Sequence, residues 1–318
     1  MHKIPFYIFA LCSLISYKVS ALDTAPDTVH TGIYITSIHD IDFKQKEYTV
    51  TLWLWLKYKN KEFDFLQNLE IPQAKTFSKS FSTIDTSENR VYILMKLQCV
   101  MKDSWQINNF PFDKQNLRLS FENSQFDSHS LIFFPDSVGN HYDPRFTLSG
   151  WNINSLNIST SINGYETAFG DDDFEKPHSD YSAYRVAIEI HREAVGLFFK
   201  MFLGMYVAFL IAFLCFFIDS NVEARFGLSV GAVFAVVGNK YIIDSALPES
   251  SSFTMVDMLH SISLLSVFAI IASSVYVLSL IKKGQIEESR KFDRMAATFI
   301  FSLYFILNVY FISAAVGR

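Results

Sequence analysis

The sequence predicts an extracellular antiparallel β-sandwich followed by a four-helix transmembrane domain. Three observations carry that prediction. Half of the 318 residues are apolar and only 19% are charged, against about 25% in soluble chains. The apolar residues form short alternating segments up to about residue 193 and four long unbroken stretches after it. A short apolar leader precedes both. The same composition argues against disorder. A net charge of −5 argues against a nucleic-acid surface, so no nucleic-acid partner is expected. Three cysteines, each in a different part of the chain, exclude a disulfide scaffold.

Residues 1–21 read as a secretory signal. Lys3 supplies the positive start, residues 6–15 the apolar run, and Val19-Ser20-Ala21 the small-x-small cleavage site. The run is too short to cross about 30 Å of hydrocarbon. Residues 22–193 follow as a β domain, with strands expected at 32–39, 48–57, 90–101, 116–121, 150–158 and 184–190. In 48–57, Trp53 and Trp55 point to one face and Leu52, Leu54 and Leu56 to the other. Turn residues between such segments, with no helical period, suit an antiparallel sandwich.

Residues 194–318 carry four helices, expected at about 196–218, 223–245, 255–281 and 291–316, each near the ~20 residues a span requires. Arg225 lies between the first two, and Lys282, Lys283, Arg290, Lys291 and Arg294 lie between the last two. The connection at 245–254 holds Glu249 and no Lys or Arg. The positive-inside rule puts the first and third connections in the cytoplasm, and the β domain and C-terminus outside.

The second of these helices differs from its neighbours. Glu223, Gly227, Gly231, Phe234, Gly238, Tyr241 or Ile242, and Ser245 share one stripe at helical spacing, with bulky aliphatics between them. A stripe of small residues with one Phe, from an acid to a hydroxyl, suits a helix facing a narrow space. Gly227-x-x-x-Gly231 is also the motif that lets two helices approach, and this segment alone supports both readings.

Further motifs carry a resemblance. Phe110-Pro111-Phe112-Asp113-Lys114-Gln115, the strand 53–60 with its two tryptophans, Leu148-Ser149-Gly150-Trp151-Asn152-Ile153, Arg192 and Leu247-Pro248-Glu249 stand in order along the chain. Val29-His30-Thr31-Gly32-Ile33-Tyr34 stands near the expected mature N-terminus. The set resembles the pentameric ligand-gated ion channels, in particular the bacterial relatives of the Cys-loop receptors. The two cysteines that name the eukaryotic branch would fall at Asp103 and Leu117, so that disulfide is absent.

The resemblance implies a homopentamer in a bacterial inner membrane, multi-pass, with its β domain in the periplasm. It implies a pore lined by the second helix that passes monovalent cations, and a small-molecule agonist bound between subunits. A ring of Glu223 carboxylates would attract cations, with Arg225 opposing it if its side chain reached the pore. Phe234 would form a hydrophobic constriction, and Tyr241 and Ile242 an outer one. Ligand-binding residues carried over are Trp53, Trp55, Phe77, Glu122, Phe126, Tyr165, Phe174 and Tyr181. Aromatic faces with one acid suit an organic amine. Coupling between the domains is expected at Asp42, Pro111, Asp113, Arg192 and Pro248, with both acids facing Arg192. Asp171-Asp172-Asp173-Phe174-Glu175 could hold a modulating divalent cation, although its spacing is not that of an EF-hand and reads more simply as a solvated tip. No catalytic constellation, resident metal site or cofactor motif is found, so no enzyme and no cofactor are expected. The alternative is a membrane-anchored sensor or binding protein that conducts nothing.

Overall fold

A computed structural model describes residues 25–87, 89–139, 141–170, 177–218 and 222–317, with the side chains of Val222 and Glu223 outside that description. The expected signal segment at 1–21 and the acidic tip with Phe174 lie outside the described residues.

Nine strands build two sheets. They are β1 (Asp27–Asp42), β2 (Glu47–Tyr58), β3 (Leu69–Glu70), β4 (Ala74–Ser87), β5 (Arg90–Lys102), β6 (Lys114–Asn123), β7 (Leu131–Pro135), β8 (Trp151–Tyr165) and β9 (Ser179–Arg192). A one-turn helix, α1 (Phe65–Asn68), precedes β3, with Asp64 accepting from the Leu66 and Gln67 amides. One sheet runs β4-β5-β2-β1-β7 and the other β3-β6-β9-β8. The alternation in β2 is realised as written: Leu52, Leu54 and Leu56 are buried, Trp53 and Trp55 half-buried on the other face. Leu and Ile side chains of both sheets join one core, with Tyr48, Phe121 and Tyr184 fully buried in it. Excluding that apolar area from water is the main force holding the sheets together.

The structure departs from expectation in its strand set. The β1–β7 pairing is parallel, whereas an all-antiparallel arrangement was expected. The two-residue β3, β4 and β7 have no counterpart among the expected strands. β4 is an edge strand rich in Ser, Thr and Lys, exposed along nearly its whole length, so no burial pattern marks it. β7 has five residues and ends at Pro135, too short for a period to register.

Four apolar helices, each long enough to cross a membrane, follow the sheets. They are α2 (Ala194–Phe213), continued by a 3-10 turn (Leu214–Phe217), α3 (Val222–Ala246), α4 (Met255–Lys282) and α5 (Ile286–Val316). A multi-pass membrane protein follows from their length and composition. Thr254 and Asp257 form a reciprocal capping box that starts α4. α5 begins five residues before the expected 291, because its first turn carries Glu287, Glu288 and Ser289 after Ile286 and lies outside the apolar run that located the helix. α3 packs against α2 and α4, which also touch each other, and α5 packs against α4 and, through Tyr304 and Asn308, against α2.

Candidate functional site

The least apolar of the four helices, α3, has two faces. Arg225, Ser229, Ala232, Val236 and Ile243 are buried against its own chain. Their spacing of four, three, four and seven residues traces one helical stripe. Gly227, Gly231, Phe234, Gly238, Tyr241, Ile242 and Ser245 are all exposed, on the face diametrically opposite. Phe234 is 72% exposed, Tyr241 74% and Ile242 66%. A Cβ added at Gly227, Gly231 or Gly238 would meet nothing within 4 Å. The glycines therefore do not serve helix packing inside the chain. Glu223 continues the exposed stripe by spacing; its side chain lies outside the described residues.

At the start of α3, Arg225 turns inward. Its Nη1 and Nη2 donate to the two Asp293 carboxylate oxygens at 3.1 and 2.8 Å, and Nε and Nη2 donate to the Ile218 carbonyl at 3.2 and 2.9 Å. The expected conflict between Arg225 and Glu223 is thereby removed from the exposed face. At the other end, Lys240 joins Asp244 at 2.6 Å and Asp257 of α4 at 2.8 Å. Lys240 lies inside a run read as apolar, and its carboxylate partners account for its tolerance there. Deeper in, Asn239 donates to the Met201 carbonyl at 2.9 Å and lies 3.0 Å from a ring nitrogen of His260. These polar links tie α3 to α2 and α4.

In the β domain, Glu122 on β6 is 2% exposed. Tyr165 donates to its Oε2 at 2.9 Å, Asn163 donates to its Oε1, and Arg185 donates to Asn163. Burial raises the Glu122 pKa above the ordinary carboxylate value, aided by nearby Glu70 and opposed by the two donors and Arg185. Burial also raises the Tyr165 hydroxyl to about 12, with the Glu122 carboxylate adding to the effect. Tyr181 stands edge-on to Tyr165 and Phe169, which are tilted against each other, with centroids 5.7–6.2 Å apart. A cavity of about 480 Å³ beside them is lined by Phe126, His129, Phe169, His178, Asp180 and Tyr181, among others. Glu122, Phe126, Tyr165 and Tyr181 thus gather in one region.

Trp53, Trp55 and Phe77 stand on the other sheet. Trp55 donates from Nε1 to Asp136 at 3.0 Å and lies flat over Gly32, where any Cβ would come within 2.4 Å of its ring. Trp53 meets Phe81 edge-on at 5.7 Å, and Phe77 is exposed on β4. Asn163 and Phe169 escaped the sequence reading. Asn163 shares a strand face with Tyr165 by its period of two, a signal visible in the sequence; Phe169 adopts a positive φ of 51° in a loop and gave none.

The junction between sheets and helices centres on Arg192. Its Nε donates to Asp113 Oδ1 at 2.8 Å and its Nη2 to Oδ2 at 3.3 Å. The guanidinium lies 4.0 Å from the Trp151 ring centre, 4.7 Å from Phe43 and 5.1 Å from Phe110. Gln115 donates to Asp113 at 2.7 Å, so both carboxylate oxygens are engaged. Asp42, expected to face Arg192 as well, makes no ion pair with it. It accepts from the Gln45 amide at 2.8 Å and closes the β1–β2 turn, although it lines the same cavity. Turn closure claims its oxygen because an Asp at the first turn position bonds the backbone locally. Pro111 is buried, after a cis Phe110–Pro111 bond. Pro248 is buried and lines a cavity shared with Ile107 of the loop before β6. That loop touches the helices twice more: Phe112 meets Phe198 at 5.5 Å, and the Met255 amide donates to the Asn108 carbonyl at 2.8 Å. Where the disulfide of the resembled family would sit, Arg118 pairs with Asp103 and closes the same loop.

No group of three or more His, Cys, Asp or Glu side chains suited to a metal occurs among the described residues. No protein-family model matches the chain.

Proposed function

We propose that the chain is a subunit of a homopentameric, ligand-gated, cation-selective channel of the pentameric ligand-gated class. One observation carries the reading: the stripe from Gly227 to Ser245 faces away from its own chain along the full length of α3. A helix tied to α2, α4 and α5 by Asn239, Lys240 and Arg225, yet presenting small and aromatic residues on its free side, is arranged to face copies of itself around water. A helix facing only lipid has no use for three glycines there.

On this reading Phe234 closes the path by excluding water, and Glu223 at the inner mouth favours cations. The two sheets form the sandwich of the ligand-binding domain, outside the inner membrane. Phe77, Phe81 and Ile84 on the exposed edge strand β4 are apolar surface that a neighbouring subunit would cover. Glu122 with Tyr165, Tyr181 and Phe126 provides an acid beside aromatic faces, the chemistry of an organic ammonium site. Agonist binding would act through the β6 loop on α2 and α4, and five modest preferences for the open arrangement add to a large shift.

The test is current through the purified full chain in planar bilayers bathed by asymmetric KCl, with small organic amines applied to the β-domain side. Amine-evoked currents reversing near the potassium potential are expected. Reversal at the chloride potential would refute the selectivity, and an electrically silent protein that still binds amines would favour the non-conducting sensor.

A further inference from the structure

From the buried Arg225–Asp293 pair we infer that Asp293, a residue on α5 and outside the proposed pore lining, sets the ion selectivity of the proposed channel by keeping Arg225 out of the inner mouth. The inference rests on the channel reading and extends it to a residue that touches no permeant ion.

The pair is built for retention. The Arg225 side chain is 7% exposed and that of Asp293 13%. The carboxylate takes both terminal nitrogens, and the Ile218 carbonyl takes Nε and the second hydrogen of Nη2. Bidentate pairing of this kind fixes direction as well as charge. Arg225 is also the fourth residue of α3, where the positive end of the helix dipole disfavours a cation. Something must hold it there. Ile218 offers only a carbonyl dipole, so among the described residues the countercharge comes from Asp293. Asp293 is moreover the single acid between Arg290 and Arg294, in a run whose Arg290, Lys291 and Arg294 are exposed. Of the charged residues in that run, Asp293 alone is drawn inward.

Removing one partner of a buried pair strands the other charge. A guanidinium on a flexible stem, repelled by its own helix end, leaves such a site for the nearest water. For the first residues of α3 that water is the inner mouth, where five added positive charges would oppose cations and admit anions. The Arg225 charge is harmless to cation flow only while Asp293 holds it.

The experiment compares wild type, D293N, R225Q and D293N/R225Q as full chains in bilayers with asymmetric KCl, alongside arginine-specific phenylglyoxal labelling of each protein in detergent, read by peptide mass mapping. D293N should lower the cation-to-anion permeability ratio by about threefold or more, and its Arg225 should become labelled while that of the wild type stays protected. R225Q should keep the wild-type ratio, and the double variant should return to it, because the charge that D293N releases is then gone. An unchanged ratio in D293N, or Arg225 labelled equally in wild type, overturns the inference while leaving a conducting wild type as a channel. R225Q that is markedly more cation-selective than wild type also overturns it, since Arg225 would then already face the pore. If D293N fails to assemble, R225Q and the labelling of the wild type decide. A wild type that passes no ions defeats the channel reading instead, and the selectivity role with it.

Discussion

Glu122 shows how one residue can be both costly to the fold and useful to a site. Its carboxyl lies under two donors, yet burial outweighs them and raises its pKa. The native state therefore keeps this proton to higher pH than the unfolded chain does. Between the ordinary Glu value, about 4.3, and the raised native value, the unfolded chain binds fewer protons, so stability from this site falls as pH rises. Glu122→Gln takes no part in that titration and retains an amide able to bond Tyr165 and Asn163. Thermal midpoints of wild type and E122Q, followed across the acid range, should part as pH rises, with E122Q ahead. Parallel profiles would show that Glu122 carries no raised pKa. The same variant should lose the amine response, since a neutral amide cannot balance an ammonium. The acid and Tyr165 were legible in the sequence as candidates; that Asn163 and Arg185 join them was not, because both reach Glu122 only across paired strands.

At the scale of the element, α3 is the most informative. Its stripe could be read directly from the spacing of glycines and aromatics, because a helix converts sequence distance into angle without help from the rest of the chain. Which side the stripe would face could not be read, since packing decides it. The fold buries the opposite side through Arg225, Ser229, Ala232, Val236 and Ile243, and leaves Phe234 free. Phe234→Ala should raise the fraction of time the channel is open without agonist by about tenfold, the effect of removing ~1.4 kcal/mol of preference for the closed state. Single-channel recording at zero agonist measures it, and an unaltered closed probability would remove Phe234 from the gate. The strands teach the converse lesson. β2 and β5 announced themselves by alternation, one face in the core and the other half covered. β4 did not, because an exposed edge strand has no buried face to impose a period, and its place comes only from pairing with β5.

At the scale of the whole molecule, the free faces are the main feature. The stripe of α3, the apolar residues of β4 and the aromatic cluster beside Glu122 are all incomplete in a single chain. Five copies around an axis would cover the first two and close the third between neighbours. Mass measurement of the detergent-solubilised protein, with detergent subtracted, should give about five times the 36.5 kDa chain. A monomer or dimer at micromolar concentration would exclude a central pore. The Arg192 junction stands at the end of β9, two residues before α2. Asp113, Trp151, Phe43 and Phe110 surround its guanidinium from four parts of the β domain, and Phe112 and Asn108 of the same loop touch Phe198 and Met255 of the helices.

The sequence by itself determined the division into strands and spanning helices, the stripe along α3 and the acid and aromatic types gathered around Glu122. These depend on local period and on length against the bilayer, which neighbouring residues encode. The tertiary structure alone decided that Arg225 pairs with Asp293, that Asp42 closes a turn rather than facing Arg192, and that β1 runs parallel to β7. Each depends on residues distant in the chain, or on competition between a local bond and a distant one. Burial in the folded core settles such competitions, because a charge or amide removed from water must find its partner there.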